Sequence, residues 1–360
     1  MVATSDAVWS EQGTTPDAIE AALRRLLIER HAENERFVPA RVLNMIAFVD
    51  RAWSGEIANR LRGVGRYHAS RLLVFSYEPQ RERLDARVMI ASEGQGDDGE
   101  LALLRETVVV EVGDRHLDDL LTIADPLVVT DLPTLLWSPH GHHEIVQQLL
   151  AMSQAVLLDS VEEPVVREAL DRAGALSAQV YVVDLAWLRS TPWRERVAAA
   201  FDPPALRLEL SQITGVSVRH HPASTVAALL LVGWLASRLG WQTWSLGVDG
   251  AAQVGRARSG DFDIGVRLEM ARELQVPGLQ SVELRTASGL DLSLTRGTGG
   301  LRARARDGGG HIREWTIPGA SRGEAGVLGE GIRQALLRDP TYVPALERAR
   351  AMLPSATTRS

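Results

Sequence analysis

The chain of 360 residues contains no cysteine. That removes disulfides, thiolate-held zinc, iron–sulfur clusters, thiol nucleophiles and thiol redox switching together. It contains no lysine either, so all 39 basic residues are arginine. Schiff-base chemistry and a phosphate-loop lysine are thereby excluded. A GC-rich coding bias accounts for this usage without any functional demand. The arginines do not make the chain basic: 46 acids leave a net charge of −7. Nucleic-acid binding ordinarily uses a basic domain or stripe, and no nucleic-acid partner is expected.

Signals for export and membranes are also missing. Met1 to Thr15 is polar, carries acids and lacks the apolar stretch of a signal peptide. The most apolar run, Ala223 to Leu239, is broken by Ser224, Thr225, Ser237 and Arg238. It falls short of the roughly 20 apolar residues a span needs and reads as a buried helix, apolar on nearly all sides. The expectation is a cytoplasmic protein without a membrane partner.

Catalytic motifs are absent in turn. His140-Gly141-His142-His143 and His220-His221 cluster imidazoles, but adjacent histidines at a helix start diverge by about 100° and chelate poorly. His143-Glu144 is followed by Ile-Val-Gln, so no H-E-x-x-H forms. Gly63-Val-Gly65-Arg66 follows a helical segment and precedes a strand, the reverse of a dinucleotide fingerprint, and lacks its third glycine. Ser259 has Ala257 where a nucleophile elbow needs glycine. Asp97-Asp98 and Asp118-Asp119 read as solvated charge. No catalytic residue, metal or cofactor is expected.

What is present is a regular alternation. Asp17 to Glu35 is an amphipathic helix, with Ile19, Leu23, Leu26 and Leu27 at helical spacing. Arg41 to Val49 and Arg71 to Tyr77 read as buried strands around a helix at Ser54 to Leu61. Leu84 to Ala91 and Glu106 to Val112 follow as strands, with an exposed loop at Ser92 to Gly99. Strands at Thr134 to Trp137, Ala155 to Leu158 and Val180 to Leu185 then alternate with helices at His142 to Met152, Glu162 to Ala173 and Pro192 to Phe201. Short apolar strands between amphipathic helices imply βαβ units and a parallel sheet.

Beyond Asp202-Pro203-Pro204 the pattern changes. From Asp261 onward apolar residues alternate with polar ones, as in Leu290, Leu292 and Leu294, and Gly-rich turns separate the runs, which predicts an antiparallel meander. Two helices close the chain. Ser321-Arg-Gly-Glu324 fits a capping box for the first, with Leu328, Ile332, Ala335 and Leu336 inward. Asp339-Pro340 opens the second. The expected organisation is a flexible tail over 1–15, an α/β domain over 16–204 and an α+β domain over 205–360.

Arginine and tryptophan carry the remaining signals. Arg302, Arg304 and Arg306 should project from one sheet face, either paired with Glu283 and Asp291 or offered to an anion or partner. Nine tryptophans outnumber the four tyrosines and five phenylalanines. Trp53, Trp137, Trp187 and Trp193 fall at element ends, where junction packing and interface contact are both open, and Trp and Arg are enriched at interface hot spots.

Four stretches resemble a known family. They are Arg41 to Arg71 (RVLNMIAFVDRAWSGEIANRLRGVGRYHASR), Asp125 to His140 (DPLVVTDLPTLLWSPH), Tyr181 to Pro204 (YVVDLAWLRSTPWRERVAAAFDPP) and Leu229 to Trp241 (LLLVGWLASRLGW). They are similar to the glucose-6-phosphate dehydrogenase assembly proteins, often called OpcA. The resemblance implies a non-enzymatic partner that binds glucose-6-phosphate dehydrogenase and promotes its active oligomer in the oxidative pentose phosphate pathway. Thiol control, linked to photosynthetic members, cannot operate in a chain without cysteine. Within these stretches Arg66, His68, Arg71, Trp137, His140, Trp187, Arg189, Trp193 and Arg194 fall at element ends and are the expected partner-contact residues. The alternative is a sugar phosphate or nucleotide bound at the carboxyl ends of the parallel strands near Ser138 to His143, with Arg66, His68 and Arg71 meeting the phosphate.

Overall fold

The apolar runs of the first half become one nine-stranded sheet. The computed structural model describes residues 7–33, 37–39, 41–65, 70–93, 102–318 and 323–354. The strands of the first sheet are β1 (Ala7–Glu11), β2 (Phe37–Val38), β3 (Leu43–Asp50), β4 (Ser70–Tyr77), β5 (Asp85–Glu93), β6 (Ala102–Val112), β7 (Thr134–Trp137), β8 (Ala155–Leu158) and β9 (Tyr181–Asp184). Their order is β1-β5-β6-β4-β3-β7-β8-β9, with β2 beside β6. β6, β4, β3, β7 and β8 run parallel, and β5 and β1 extend the sheet antiparallel. Seven consecutive residues of β3 are buried, as the unbroken run Leu43 to Val49 requires of a strand covered on both faces. Counted from β3 and leaving out the β5 arm, the order reads 3-2-1-4-5-6, that of the doubly wound fold.

The expected loose tail needs correcting. Ala7–Glu11 pairs with β5 from Ala7–Ile90 to Glu11–Ala86, and Thr14 N–H donates to the Leu84 carbonyl at 2.8 Å. Five residues with one wholly apolar neighbour pair are too short to show a period in sequence. The capping box at Ser321 and the loop at Ser92 to Gly99 lie largely outside the described residues.

Helices follow in chain order: α1 (Pro16–Glu33), α2 (Ser54–Gly65), α3 (Leu120–Ala124), α4 (His143–Leu149), α5 (Val166–Ser177), α6 (Leu185–Arg189), α7 (Thr191–Ala200), α8 (Pro204–Arg207), α9 (Thr225–Leu239), α10 (Gly323–Leu337) and α11 (Tyr342–Ala351). In α10, Leu328 and Ile332 are buried as the spacing predicts, but Leu336 is exposed.

The second sheet also has nine strands: β10 (Ile213–His220), β11 (Gln242–Thr243), β12 (Gly247–Asp249), β13 (Ala252–Ser259), β14 (Phe262–Met270), β15 (Leu279–Thr286), β16 (Asp291–Gly297), β17 (Gly300–Arg306) and β18 (Ile312–Pro318). The order is β11-β13-β14-β10-β15-β16-β17-β18, with β12 on β13. Every pairing is antiparallel except β10 with β14. The expected meander is therefore interrupted, because β10 inserts between β14 and β15. Val216, Val218, Val266, Leu284 and Leu294 face a dry side, on which α9 packs. Burying each such side chain contributes about 2 kcal/mol. Helix α9 in turn meets α11 so closely that a Cβ on Gly233 would lie 2.2 Å from the Ala345 carbonyl oxygen.

Contacts divide the chain into two compact units. One comprises Met1–Leu158, Val180–Val183 and Glu324–Leu337, the other Asp159–Gln179, Asp184–Gly323 and Arg338–Ser360. The division expected at Pro203-Pro204 is corrected. Helix α5 buries Ala169, Leu170 and Ala173 and packs with α9 and α11, and Arg350 pairs with Asp171 at 2.8 Å, so α5 counts with the second unit.

Candidate functional site

In a doubly wound sheet a ligand crevice opens where the strand order reverses, at the carboxyl ends of the two flanking strands. Here those strands are β3 and β7. β3 ends in Asp50, and β7 runs into Ser138-Pro139-His140-Gly141-His142. Two consecutive residues of that strap, Gly141 (φ 88°) and His142 (φ 50°), are left-handed. Glycine adopts that conformation freely, whereas histidine does so at a cost of about 1–2 kcal/mol. Ser138 Oγ holds the strap by donating to the Gly141 carbonyl at 2.9 Å.

The strap delivers two imidazoles to Asp50, one to its carboxylate and one to its backbone N–H. His142 Nε2 lies 2.8 Å from Asp50 Oδ1, an Nε2–H donating to the carboxylate. The Asp50 backbone N–H donates to His140 Nδ1 at 3.3 Å. His140 therefore accepts at Nδ1 and is neutral, in keeping with burial that pushes its pKa down while Asp50 pulls partly back. The His142 ring is set edge-on against Phe48 (4.9 Å) and Tyr77 (5.4 Å). Tyr77, at the end of β4, donates to Asp114 at 2.5 Å, which pushes its phenol up to about 12.

The turn after β3 carries Asp50-Arg51-Ala52-Trp53-Ser54-Gly55, a 3₁₀ turn leading into α2, in place of a glycine-rich loop. The half-exposed Trp53 ring stands 6.0 Å from the His140 ring. Side chains thus occupy the place where backbone amides would cradle a diphosphate. A carboxylate–histidine pair can orient a base, but His142 is flanked by two aromatic rings, and among the described residues no nucleophilic side chain is hydrogen-bonded to it. Among the described residues no three His, Cys, Asp or Glu side chains gather as a metal site.

The expected contact residues separate into distinct places. Arg66 and His68 lie outside the described residues. Arg71 is buried near the amino end of β4, where it pairs with Glu106 at 2.7 Å and donates to the Leu127 carbonyl at 3.1 Å. At about 3.3 Å per residue, six residues of strand put it some 20 Å from the carboxyl end. Arg71 therefore does not meet a phosphate beside Ser138 to His143, and that expectation is corrected. Glu106 also receives Arg41, so one buried carboxylate is shared by two arginines.

Trp137 is buried as the last residue of β7. In the second unit Trp187 is 2% exposed, Trp193 4% and Arg194 7%. The Arg194 guanidinium lies 3.3 Å over the Trp187 ring and donates to Thr191 Oγ1 at 2.8 Å. Burial lowers its pKa to about 10, against the pull of Asp339. Trp187 Nε1–H donates to Asp339 at 2.8 Å. Side chains this enclosed present no surface to a partner, so Arg71, Trp137, Trp187, Trp193 and Arg194 are interior supports in this conformation. Arg189 pairs with Asp159 at 2.7 Å and stays partly open. Of the expected residues that are described, His140 is the one that sits in the crevice. Asp50, Tyr77 and Trp53 join it, and the signal that would have found them is strand order, which no local pattern encodes.

Two family models match the chain. One, described as the glucose-6-phosphate dehydrogenase subunit N-terminal domain, covers residues 62–175, and its C-terminal counterpart covers 180–346. The chain belongs to the glucose-6-phosphate dehydrogenase assembly protein family. The two models meet between 175 and 180, near where the chain crosses between its units. Curated relatives bearing the provisional name OxPP cycle protein OpcA agree. The Synechococcus elongatus protein is 30% identical over 164 residues, 44% of this chain and 35% of that protein. The Nostoc punctiforme protein is 34% identical over 143 residues, 38% of this chain and 29% of that protein. The matched stretches thus span about a third of these relatives' length. Among solved structures, apo scyllo-inositol dehydrogenase from Lactobacillus casei aligns at TM-score 0.46 and 11% identity, over 87% of this chain and 96% of that one. The WlbA dehydrogenase of Thermus thermophilus aligns at TM-score 0.43 and 14% identity, over 87% and 98%. Likeness at that level carries no argument about chemistry.

Proposed function

We propose that this protein is a non-catalytic partner of glucose-6-phosphate dehydrogenase that promotes the enzyme's active oligomer, working beside it in the cytoplasm. The reading rests on membership of the family. A second observation supports it: the strand order is one that ordinarily houses a dinucleotide, yet Trp53, His140 and His142 stand where the phosphate loop belongs. Activation then works by differential binding. The partner contacts one oligomeric or conformational state of the enzyme better than another, and shifts the population by that difference alone. The test is size-exclusion chromatography of the chain mixed with the glucose-6-phosphate dehydrogenase of the same organism. A stable earlier peak holding both proteins is expected, and separate elution in the presence of glucose 6-phosphate and NADP would contradict it.

The strained His142 and the half-exposed Trp53 favour a second reading, in which a small anionic metabolite binds at the carboxyl ends of β3 and β7. A thermal-shift screen with glucose 6-phosphate, 6-phosphogluconate and NADP tests it. A saturable shift lost in His140→Ala is the expected outcome, and no shift with any of the three rules the reading out.

A further inference from the structure

The polar face of the second sheet offers a surface that its own structure does not explain. On β15 to β17 that face carries Arg285, Arg302, Arg304 and Arg306 against two acids, Glu283 and Asp291, in a chain of net charge −7. Asp291 is committed to Arg306 at 2.5 Å, and Arg304 reaches Glu314 at 3.4 Å. Arg302 stands in register between Thr295 and Thr316, and Arg285 between Gly215 and Asp291. Among the described residues neither Arg285 nor Arg302 has a carboxylate within ion-pair distance. A depression of about 300 Å³ runs along this face between Arg285, Arg304 and Arg306.

Beside Arg285 the sheet is bare. Gly215 of β10 and Gly265 of β14 are in register on adjacent strands, and Arg256 of β13 continues the same row. Two strand glycines elsewhere in this sheet have a steric reason: a Cβ on Gly255 would strike the Leu246 side chain at 2.5 Å, and one on Gly300 the Ile317 carbonyl at 2.1 Å. Gly215 and Gly265 have no steric one, although the register of β10 against β15 shifts between Ile213 and Gly215. Neither has a positive φ, and a Cβ on either would meet nothing closer than 3.9 Å. Glycine weakens a strand interior and marks a bulge or a place that a ligand or another backbone approaches closely; Gly265, where the register is regular, leaves the second.

We infer that this bare floor, flanked by Arg256 and Arg285 and extended by Arg302, is the docking surface for an acidic, extended segment of the partner protein. The segment lies flat over Gly215 and Gly265 while its carboxylates take the unpaired guanidinium forks. A second copy of this chain is the poorer occupant, because a two-fold face-to-face contact would oppose arginine with arginine. The inference rests on the partner reading above and adds the place of contact.

The test uses the full chain and the glucose-6-phosphate dehydrogenase of the same organism, with affinity measured by titration. Gly265→Tyr fits the folded sheet and fills the floor. It should keep or raise the melting temperature and weaken binding at least tenfold. Arg285→Glu combined with Arg302→Glu should weaken binding similarly, flatten its loss with salt and leave the fold intact. It keeps the question answerable if the glycine variant misfolds. Arg24→Glu, on an exposed turn of α1 in the other unit, should bind as the unaltered chain does. Full binding by both the Gly265 and the arginine variants would overturn the docking surface while leaving the partner reading standing. Self-association lost in Gly265→Tyr with enzyme binding unchanged would overturn it in favour of a second copy. Absence of binding by the unaltered chain would overturn both.

Discussion

The two sheets are equal in strand number and differ in how they are covered. In the first, β3 is buried at seven consecutive residues, and its polar groups are forced to the strand ends, where Asp50 meets His140 and His142. In the second, β16 and β17 alternate buried with exposed residues, so their polar groups line one face throughout. Covering both faces leaves only a crevice for function, and covering one leaves a plane. A crevice suits a small ligand, whereas an open face running from β13 across to β17 suits a protein. In this chain aromatic and imidazole rings stand in the crevice in place of a phosphate loop, and the plane is left uncovered. That contrast supports the proposed reading of the chain as a partner protein.

The sharpest way to break the second unit is through its core rather than its face. Gly233→Leu places a side chain against the backbone of α11, where a Cβ already falls 2.2 Å from a carbonyl oxygen. It should cost more than about 3 kcal/mol in urea unfolding, or prevent folding. Next comes a pair of tryptophans that sequence position alone does not tell apart. Trp187→Ala removes a ring stacked under Arg194 and bonded to Asp339, and should lose about 3–5 kcal/mol. Trp53→Ala, half exposed, should stay within about 0.5 kcal/mol by the same measurement. Equal losses would erase the distinction between interior support and surface residue.

Asp184 gives a pH-dependent version of the comparison. It is fully buried at the end of β9, accepts from Ser160, the Ala186 N–H at 2.9 Å and Tyr342 at 3.0 Å, and burial raises its pKa to about 6. Below about pH 4 the carboxyl is protonated in folded and unfolded chains alike. Between about pH 4 and 6 the unfolded chain ionises while the folded chain keeps its proton. Rising pH through that window therefore withdraws about 3 kcal/mol of stability. The stability difference between the unaltered chain and Asp184→Asn should move by that amount from pH 4 to pH 7, and a constant difference would show the group to be unperturbed. The smallest effect is expected at the crevice. His142→Gly relieves the left-handed backbone and should be more stable than His142→Ala by about 1 kcal/mol in thermal melts, both having lost the bond to Asp50.

Much of this architecture is legible in the residues. Met45 to Val49, Leu135 to Trp137 and Ala155 to Leu158 are short, wholly apolar and separated by amphipathic helices, so the parallel sheet could be read locally. Leu290 to Leu294 and Leu301 to Ala305 show the period of two that a half-covered strand needs. What could not be read is long-range. β10 enters between β14 and β15 although β11, β12 and β13 intervene in sequence, and α5 joins α9 and, more than 150 residues further on, α11. The same limit applies to the candidate sites. Asp50 and His142 are 92 residues apart and meet only because β3 and β7 are neighbours. The tryptophans of Tyr181 to Pro204 are equally prominent whether they face a partner or a core, and only the placement of Asp339 and Tyr342 beside Trp187 decides for the core.

The most direct measurement is an activity titration of the glucose-6-phosphate dehydrogenase of the same organism with this chain, following NADP reduction. Partnership without catalysis predicts no reduction by the chain alone and an enzyme rate that rises and saturates at a fixed molar ratio. NADP reduction by the chain alone, or an enzyme rate unchanged at every ratio, would contradict it.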